Sequence, residues 1–182
     1  MRIRGLYGMV DPSLGDPLAQ VRLFAAEGVS PVQLRCKGWT RDELRALALA
    51  CRDLGPELVI NDDAVLAREL GLVAHLGDDD GEALGPHGRS THTLDQIAAA
   101  KDAIYVGFGP VFGTASKDSP WPPRGPARLR EAVQRARCPL VAIGGIDQGN
   151  IDIVRESGAH AWAVIGAIWR SPDPRAAIRA LR

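Results

Sequence analysis

Residues 105–117, YVGFGPVFGTASK, carry the strongest fold signal in the chain. The stretch begins with a short apolar run and stops at Gly109-Pro110, as a buried strand followed by a turn does. Small and hydroxyl-bearing residues follow, and the last position is the cation Lys117. A flexible backbone, two hydroxyls and an ammonium group after a strand suit an oxyanion such as phosphate. The alternative is a surface loop of common composition with one solvated lysine, and the rest of the chain has to decide between them.

The composition indicates a globular protein and excludes several classes. The chain has 182 residues, of which 46% are hydrophobic and 24% charged, which suits a single domain over residues 1–182 with a substantial core. Lys and Arg together number 22, as do Asp and Glu, and this balance argues against nucleic-acid or anionic-membrane partners. No apolar run approaches the ~18 residues of a membrane span, and the N-terminus lacks a signal peptide's apolar stretch. We therefore expect a cytoplasmic protein.

The three cysteines carry no recognisable metal or redox motif. Cys36, Cys51 and Cys138 lie far apart and form no CxxC pair. Cys36 stands between Arg35 and Lys37, which could lower the pKa of its thiol. Because neighbouring side chains alternate along a strand, however, Cys36 points away from both cations. We interpret it as a structural residue.

Strand and helix patterns alternate along the chain. Strands are predicted over residues 6–10, 31–37, 58–62, 72–76, 89–92, 104–108, 139–143 and 161–165. Helices are predicted over residues 17–27, 44–54, 64–70, 94–101, 127–137, 150–156 and 174–181. Eight such strands predict an α/β protein, a shortened (β/α)₈ TIM barrel whose helix after strand four is missing, because residues 78–88 are acidic and Gly-rich. A doubly wound open sheet is the alternative, but Gly-x-Gly-x-x-Gly does not follow the first strand.

Polar side chains follow the predicted strands at the ends that a barrel brings to one mouth. Arg35 and Lys37 lie on the same side of strand two and suit an anionic substrate, although surface charge is the alternative reading. Asp62 and Asp80 are hard oxygen donors that could hold Mg²⁺ together with a diphosphate, although Asp80 also lies in an acidic run typical of a solvated turn.

The later strand ends offer backbone groups and histidines. Gly144-Gly145 and Gly166 would let backbone N–H groups approach a phosphate closely, or form ordinary strand-to-helix turns. His92 is either an acid–base group or part of a turn that caps the next helix. His75 is expected in or near the barrel wall.

These motifs closely resemble the thiamine phosphate synthase/TenI superfamily, whose members are (β/α)₈ barrels. The resemblance is carried, in family order, by Val32-Gln-Leu-Arg-Cys-Lys37, Val59-Ile-Asn-Asp62, His75-Leu-Gly77, Ser90-Thr-His92, residues 105–117 and Ala142-Ile-Gly-Gly-Ile146, and more loosely by Ala163-Val-Ile-Gly-Ala-Ile168. Synthases of this superfamily join a hydroxymethylpyrimidine diphosphate to a thiazole phosphate and release pyrophosphate.

The resemblance implies a role for each matching residue. Contacts to the diphosphate fall to Arg35, Lys37, Asn61 and Lys117. It implies Asp62 and Asp80 as the Mg²⁺ ligands, with Ser90 near the reacting centre. For the thiazole phosphate it implies Thr114 and Ser116 together with backbone N–H groups at Gly145, Ile165 and Gly166. Lys37, Ser90, His92 and Lys117 are the expected catalytic residues.

Several positions depart from the synthase pattern. Asp63 stands where the family has an arginine, and only ten positions separate Asp80 from Ser90. Gly88-Arg-Ser-Thr-His92 also resembles TenI-type thiazole tautomerases, which work without metal and use a His at the position of His92. We therefore keep two alternatives to a synthase: a tautomerase, and a non-catalytic homologue that binds thiazole phosphate. Barrel faces left bare by the missing helix would favour a homodimer.

Overall fold

A computed structural model of the chain describes residues 1–113 and 121–182. Within these residues eight parallel strands form one closed barrel, each strand pairing with the next. Strand β1 pairs with β8 from Gly5 opposite Ala161 to Gly8 opposite Val164, which closes the ring. The strands are β1 (Gly5–Val10), β2 (Val32–Leu34), β3 (Leu58–Asn61), β4 (Val73–Leu76), β5 (His87–Thr91), β6 (Tyr105–Phe108), β7 (Leu140–Ile143) and β8 (Ala161–Val164). The predicted TIM barrel is confirmed.

Helices follow the strands and cover the outside of the barrel. They are α1 (Pro17–Ala26), α2 (Arg41–Cys51), α3 (Ala64–Leu70), α4 (Leu94–Ala99), α5 (Gly125–Arg135), α6 (Ile151–Glu156), α7 (Gly166–Trp169) and α8 (Pro174–Leu181). Local sequence sets their ends: Thr40 and Thr93 each begin a helix with a reciprocal capping box. None of the helices in the described ranges is long and apolar enough to cross a membrane.

The connection between β4 and β5 contains no helix, as predicted. The ten residues from Gly77 to Pro86, all of them described, form only turns and irregular chain. The Arg89 guanidinium donates a hydrogen bond to the Gly77 carbonyl at 2.9 Å, which fastens the start of this connection to β5. Of the seven connections between consecutive strands, six contain a helix in the described ranges, and this one is a loop.

The hydrophobic core has an outer and an inner part. The outer part lies between the strands and the helices, where residues such as Val10, Phe24 and Leu34 have no exposed surface. The inner part fills the barrel and consists of Ile3, Tyr7, Met9, Val59, Tyr105, Val141, Ala161 and Ala163. Small alanines on β8 leave room for the two tyrosine rings. Above these rings, towards the C-terminal ends of the strands, the interior opens into a cavity.

The structure corrects three details of the predicted elements. Strand β2 ends at Leu34 rather than residue 37, because the Arg35 N–H turns back to the Gln33 carbonyl at 3.2 Å and the chain leaves the sheet. Strand β5 begins two residues earlier than predicted, at His87. Helix α7 was not predicted, because a helix of a single turn is too short to show a 3.6-residue periodicity.

Candidate active site

A cavity of about 680 Å³ opens at the C-terminal end of the barrel and is lined from all eight strands or the segments that follow them. Ten of the predicted site residues line it: Arg35, Lys37, Asn61, Asp62, Asp80, Ser90, His92, Gly145, Ile165 and Gly166. The other three, Thr114, Ser116 and Lys117, lie outside the described residues. Residues that are 131 positions apart in sequence, Arg35 and Gly166, thus meet at one mouth.

Two cations from the end of β2 face this cavity in different environments. The Lys37 ammonium forms an ion pair with Asp62 and its side chain is 56% exposed. The Arg35 side chain is only 15% exposed, and its Nη1 lies 3.4 Å from an Asp11 carboxylate oxygen. Both reach the cavity because the chain turns out of the sheet at Arg35. Two cations beside one cavity suit a ligand that carries several negative charges.

Two carboxylates lie beside the Lys37 ammonium. Asp62 is the one non-glycine residue in the described ranges with a positive φ, 66°, a backbone conformation that is rare for such residues. Burial raises the pKa of Asp80, and the neighbouring Asp62 carboxylate raises it further, against a hydrogen bond from the Gly77 N–H that lowers it. Asp62 and Asp80 therefore lie close enough to repel each other, and a cation between them would relieve this repulsion.

The described residues of this mouth do not form a metal site made only of protein side chains. No group of three or more His, Cys, Asp or Glu side chains that could hold a metal occurs within residues 1–113 and 121–182. The Asp62–Asp80 pair supplies two carboxylates, which is the donor set that Mg²⁺ uses when phosphate oxygens and water complete its shell. The residues present thus fit Mg²⁺ bound together with a phosphorylated substrate and do not fit a zinc site.

Asp63, which departs from the family pattern, has a structural place outside this cavity. Its carboxylate accepts a hydrogen bond from the Leu66 N–H at 2.9 Å and so caps α3. The Arg41 guanidinium lies 2.6 Å from its second oxygen. The Arg41 ion pair and this cap hold the pKa of Asp63 below its usual value, although burial acts in the opposite direction. The anion at this position therefore adds no charge to the cavity.

A chain of hydrogen bonds crosses the floor of the cavity. Ser90 Oγ lies 2.9 Å from His75 Nε2, and His75 Nδ1 lies 2.8 Å from the Tyr105 hydroxyl. That hydroxyl is 2.7 Å from the Tyr7 hydroxyl, to which Gln33 Nε2 donates at 3.3 Å. Burial raises the pKa of both tyrosines well above the usual range, so their hydroxyls stay protonated at neutral pH. We call these five side chains the floor chain.

Sequence reasoning missed most of the floor chain. His75 was expected in or near the barrel wall; it does lie on a wall strand, but its side chain lines the cavity. Gln33 sits between two apolar strand residues and is only 2% exposed. A polar residue at an inward strand position was the signal that would have found it, because the period of two places every second side chain inside the barrel.

His92 forms one wall of the cavity. Its Nδ1 donates to the Gly109 carbonyl at 2.6 Å, and its ring stacks on Trp121 with centroids 5.1 Å apart. The Arg124 guanidinium lies over the Trp121 ring, 4.8 Å from the ring centroid. His92 also belongs to the turn that begins α4, as one of its predicted alternatives has it, because its backbone N–H donates to Gln96 Oε1 at 2.7 Å. The acid–base role stays a prediction.

The glycines after β7 make room for backbone on the opposite side of the mouth. Gly144 and Gly145 have φ values of 99° and 64°. A Cβ atom at Gly145 would lie 2.3 Å from the Gly113 carbonyl oxygen, so no larger residue fits. The exposed Arg170, at the end of α7, lines the same side and was not predicted. This side offers backbone and the cation Arg170, together with the carboxylate of Asp147.

Cys36 has the character of a buried structural thiol. Burial raises the pKa of its thiol to about 12, and the negative charge of Asp11 adds to this effect. A thiol with this pKa stays protonated at neutral pH and is a poor nucleophile. The prediction that Cys36 is structural agrees with this environment.

Comparison with known proteins identifies the family. The model of the family described as thiamine monophosphate synthase matches residues 6–168. The chain belongs to this family. The thiamine-phosphate synthase of Anaeromyxobacter dehalogenans (strain 2CP-C) is 40% identical over 194 residues, which cover 97% of this chain and 85% of that protein. The thiamine-phosphate synthase of Parasynechococcus marenigrum (strain WH8102) is 41% identical over 179 residues, and this chain spans about half of its length, 51%.

A solved structure extends the family likeness to three dimensions. The thiamine phosphate pyrophosphorylase of Pyrococcus furiosus matches with a TM-score of 0.83 at 28% identity, over 99% of this chain and 94% of that one. The thiamine monophosphate synthase family therefore accounts for both the motifs and the barrel, as the resemblance of residues 105–117 indicated.

Proposed function

We propose that the chain is a thiamine-phosphate synthase, which joins hydroxymethylpyrimidine diphosphate to thiazole phosphate and releases pyrophosphate. The observation that carries the proposal is the group formed by Lys37, Asp62 and Asp80 at the mouth of the barrel cavity. A cation beside two interacting carboxylates suits a diphosphate with its metal ion. A metal-independent isomerase of a monophosphate has no need of this group.

The diphosphate would bind at the ends of β2 and β3. Lys37 would turn from Asp62 towards the phosphate oxygens once a metal neutralises the carboxylates, and Arg35 would donate from its deeper position. Asn61 lines the same side of the cavity and offers an amide donor. Lys117 is proposed for this site from the family resemblance alone.

Mg²⁺ would be held by Asp62 and Asp80 together with diphosphate oxygens, and it would neutralise charge on the leaving diphosphate. The raised pKa of Asp80 beside Asp62 supports this assignment, because two close carboxylates form an unfavourable pair until a dication binds between them. The short β4–β5 connection does not remove Asp80 from the cavity, although the sequence put this position in doubt.

The pyrimidine would lie over the floor chain. The amide of Gln33, the hydroxyls of Tyr7, Tyr105 and Ser90 and the imidazole of His75 offer donors and acceptors that suit a polar heterocycle. With its diphosphate anchored at the mouth, the substrate would extend inwards. The floor chain therefore supports a role in orienting the pyrimidine and its reactive methylene carbon.

The reaction needs positioning and charge stabilisation more than a strong base. The bond between the methylene carbon and the diphosphate oxygen breaks, and its electron pair leaves with the diphosphate. The ring nitrogen of the thiazole then donates its lone pair to the same carbon, and no proton has to move. Cations around the leaving group lower the barrier to its departure, and the enclosed cavity holds both reactants in line.

The thiazole phosphate would bind across the mouth, after β7 and β8. Gly145, Gly166 and the side chain of Arg170 line this side of the cavity, which supports the placement. Thr114 and Ser116 are proposed for the same phosphate from the family resemblance. The two substrates would then approach the methylene carbon from opposite sides of the cavity.

One observation favours a second candidate, a TenI-type thiazole tautomerase. His92 faces the cavity, and its Nδ1 proton is held by the Gly109 carbonyl, which fixes the tautomer of the ring. In a tautomerase this ring would move a proton on the thiazole. Replacing His92 by Asn would then abolish tautomerisation, whereas a synthase needs no proton transfer and would retain most of its rate.

The proposed function is tested by replacing the metal-site carboxylate. Asp62→Asn keeps the size of the side chain and removes its charge, so kcat/KM for Mg²⁺-dependent pyrophosphate release should fall by roughly 100-fold. Asp63→Asn is the matched control: the adjacent Asp caps α3, Asn is also a good cap, and kcat/KM should stay within about twofold.

Two outcomes of this assay contradict the proposal. A wild-type protein that is folded and still releases no pyrophosphate from the two precursors is not a synthase. Equal losses of kcat/KM in Asp62→Asn and Asp63→Asn would show that the assay reports a general disturbance of the α3 region and not a metal ligand.

A further inference from the structure

Arg35 is held in place by a carboxylate that does not itself line the cavity. Asp11 follows β1 and is only 8% exposed. One of its oxygens lies 3.4 Å from Arg35 Nη1. The side chains of this ion pair are 11% and 15% exposed, so solvent screens the pair less than it screens a surface pair. Within the described ranges, Arg35 has no other ion-pair partner.

The chain fixes Asp11 from three directions. Its second oxygen accepts hydrogen bonds from the Ser13 N–H at 3.0 Å and from the Ser13 hydroxyl at 2.6 Å. Gln20, which is 4% exposed, accepts from the Asp11 N–H at 2.9 Å and donates to the Asp11 carbonyl at 3.0 Å. Both carboxylate oxygens of Asp11 are thus in contact with a partner, and its backbone N–H and carbonyl are bonded to Gln20. These contacts fix the orientation of the Asp11 carboxylate, which in turn restricts the Arg35 guanidinium.

We propose that Asp11 is a positioning residue, which orients the Arg35 guanidinium so that its remaining N–H groups face the substrate diphosphate. A guanidinium has five N–H donors in a fixed plane, and the Asp11 contact involves one of its nitrogens, Nη1. The other donors stay available to a ligand in the cavity that Arg35 lines. That the group recognised by Arg35 is a diphosphate rests on the proposed function, whereas the pairing of Asp11 with Arg35 does not.

The first measurement needs no substrate. Nitrogen-15 NMR of the Arg35 guanidinium, assigned by its loss in Arg35→Lys, should show separate Nη signals in the wild type because the ion pair slows rotation. Asp11→Asn keeps the oxygen that faces Ser13 and places an amide NH₂ against Nη1, so the Nη signals should merge. Asp11→Ser, which keeps the turn and removes the charge, is the second variant if Asn disturbs folding.

The second measurement is steady-state kinetics. In Asp11→Asn the KM for the pyrimidine diphosphate should rise roughly tenfold, while the KM for the thiazole phosphate stays within about twofold. Asp16→Asn is the matched control. The Asp16 carboxylate accepts hydrogen bonds from backbone N–H groups at the start of α1, as the Asp11 carboxylate does from the Ser13 N–H, and Asp16 does not line the cavity. Both KM values should be unchanged in this control.

The outcomes separate the two claims. Arg35 signals that are merged in the wild type, or that stay separate in both Asp11 variants, overturn the positioning role whatever the enzyme does. Equal rises of both KM values also overturn it, because they indicate a general loss of structure. A wild type without synthase activity contradicts the proposed function, and the NMR result then decides the Asp11–Arg35 pairing by itself.

Discussion

Tyr105 shows how a single hydroxyl ties the floor of the cavity together. Its ring is buried inside the barrel, and its hydroxyl contacts both the Tyr7 hydroxyl and His75 Nδ1. Through His75 it also fixes Ser90, the residue that the family resemblance places near the reacting centre. Removing one member of such a network leaves the partners buried without their hydrogen bonds, which costs more than the bond itself contributes.

We predict that Tyr105→Phe raises the KM for the pyrimidine diphosphate about tenfold and lowers the free energy of unfolding by about 1–3 kcal/mol. The ring stays in place, so the change isolates the hydroxyl. Ser157→Ala is the control: it removes a buried hydroxyl that donates to the Val154 carbonyl at 2.6 Å, far from the cavity. It should lower stability without changing KM. An unchanged KM in Tyr105→Phe would show that the floor chain does not orient the substrate.

Among strands and helices, the sequence could predict the elements that carry a local sequence pattern. The strands are short apolar runs that end at turn residues, and helices have caps such as Thr40 with Glu43, and these local signals made eight strands and seven helices predictable. Strand ends were less predictable, because the turn at Arg35 arises from a single backbone hydrogen bond. The Asp11–Arg35 pair joins residues that are 24 positions apart, and the pairing of β1 with β2, with Val10 opposite Leu34, brings them together.

Strand β5 contains the sharpest steric requirement of the barrel interior. A Cβ atom at Gly88 would lie 2.1 Å from Tyr105 Cζ, inside the ring's own space. Gly88→Ala should therefore displace Tyr105 and lower the free energy of unfolding by about 3 kcal/mol or more. Gly85→Ala is the matched control in the preceding loop, where a Cβ meets no atom within 4 Å. Urea unfolding of both variants measures the difference, and equal stabilities would contradict this packing.

At the scale of the whole molecule, the two ends of the chain are joined on the outside of the barrel. Glu27, at the end of α1, pairs with Arg179 at 2.8 Å and with Arg175, both on α8. Its carboxylate is only 5% exposed, and the hydrogen bond from Arg179 holds the pKa of Glu27 below its usual value. The predicted homodimer concerns the barrel face that has no helix after β4. It stays a prediction, which the mass in solution would test.

We predict that Glu27→Gln lowers Tm by a few degrees at pH 7. Because the pKa of Glu27 is lower in the folded state, its stabilising effect is present above the unfolded pKa of about 4.3 and is lost as the pH falls through the folded pKa. The Tm difference between variant and wild type should thus shrink below about pH 4. Glu131→Gln, which breaks an exposed pair with Arg128, is the control and should leave Tm nearly unchanged. A Tm difference for Glu27→Gln that persists at low pH would contradict the ion-pair account.

The central claim is that the mouth of this barrel binds two phosphorylated precursors and joins them with loss of pyrophosphate. The most direct measurement incubates wild-type protein with hydroxymethylpyrimidine diphosphate, thiazole phosphate and Mg²⁺, and quantifies thiamine phosphate and pyrophosphate in the same sample. We predict equal amounts of the two products, and neither when Mg²⁺ is removed by a chelator. Folded protein that forms no thiamine phosphate, yet isomerises a thiazole carboxylate phosphate in the presence of the chelator, would contradict the account.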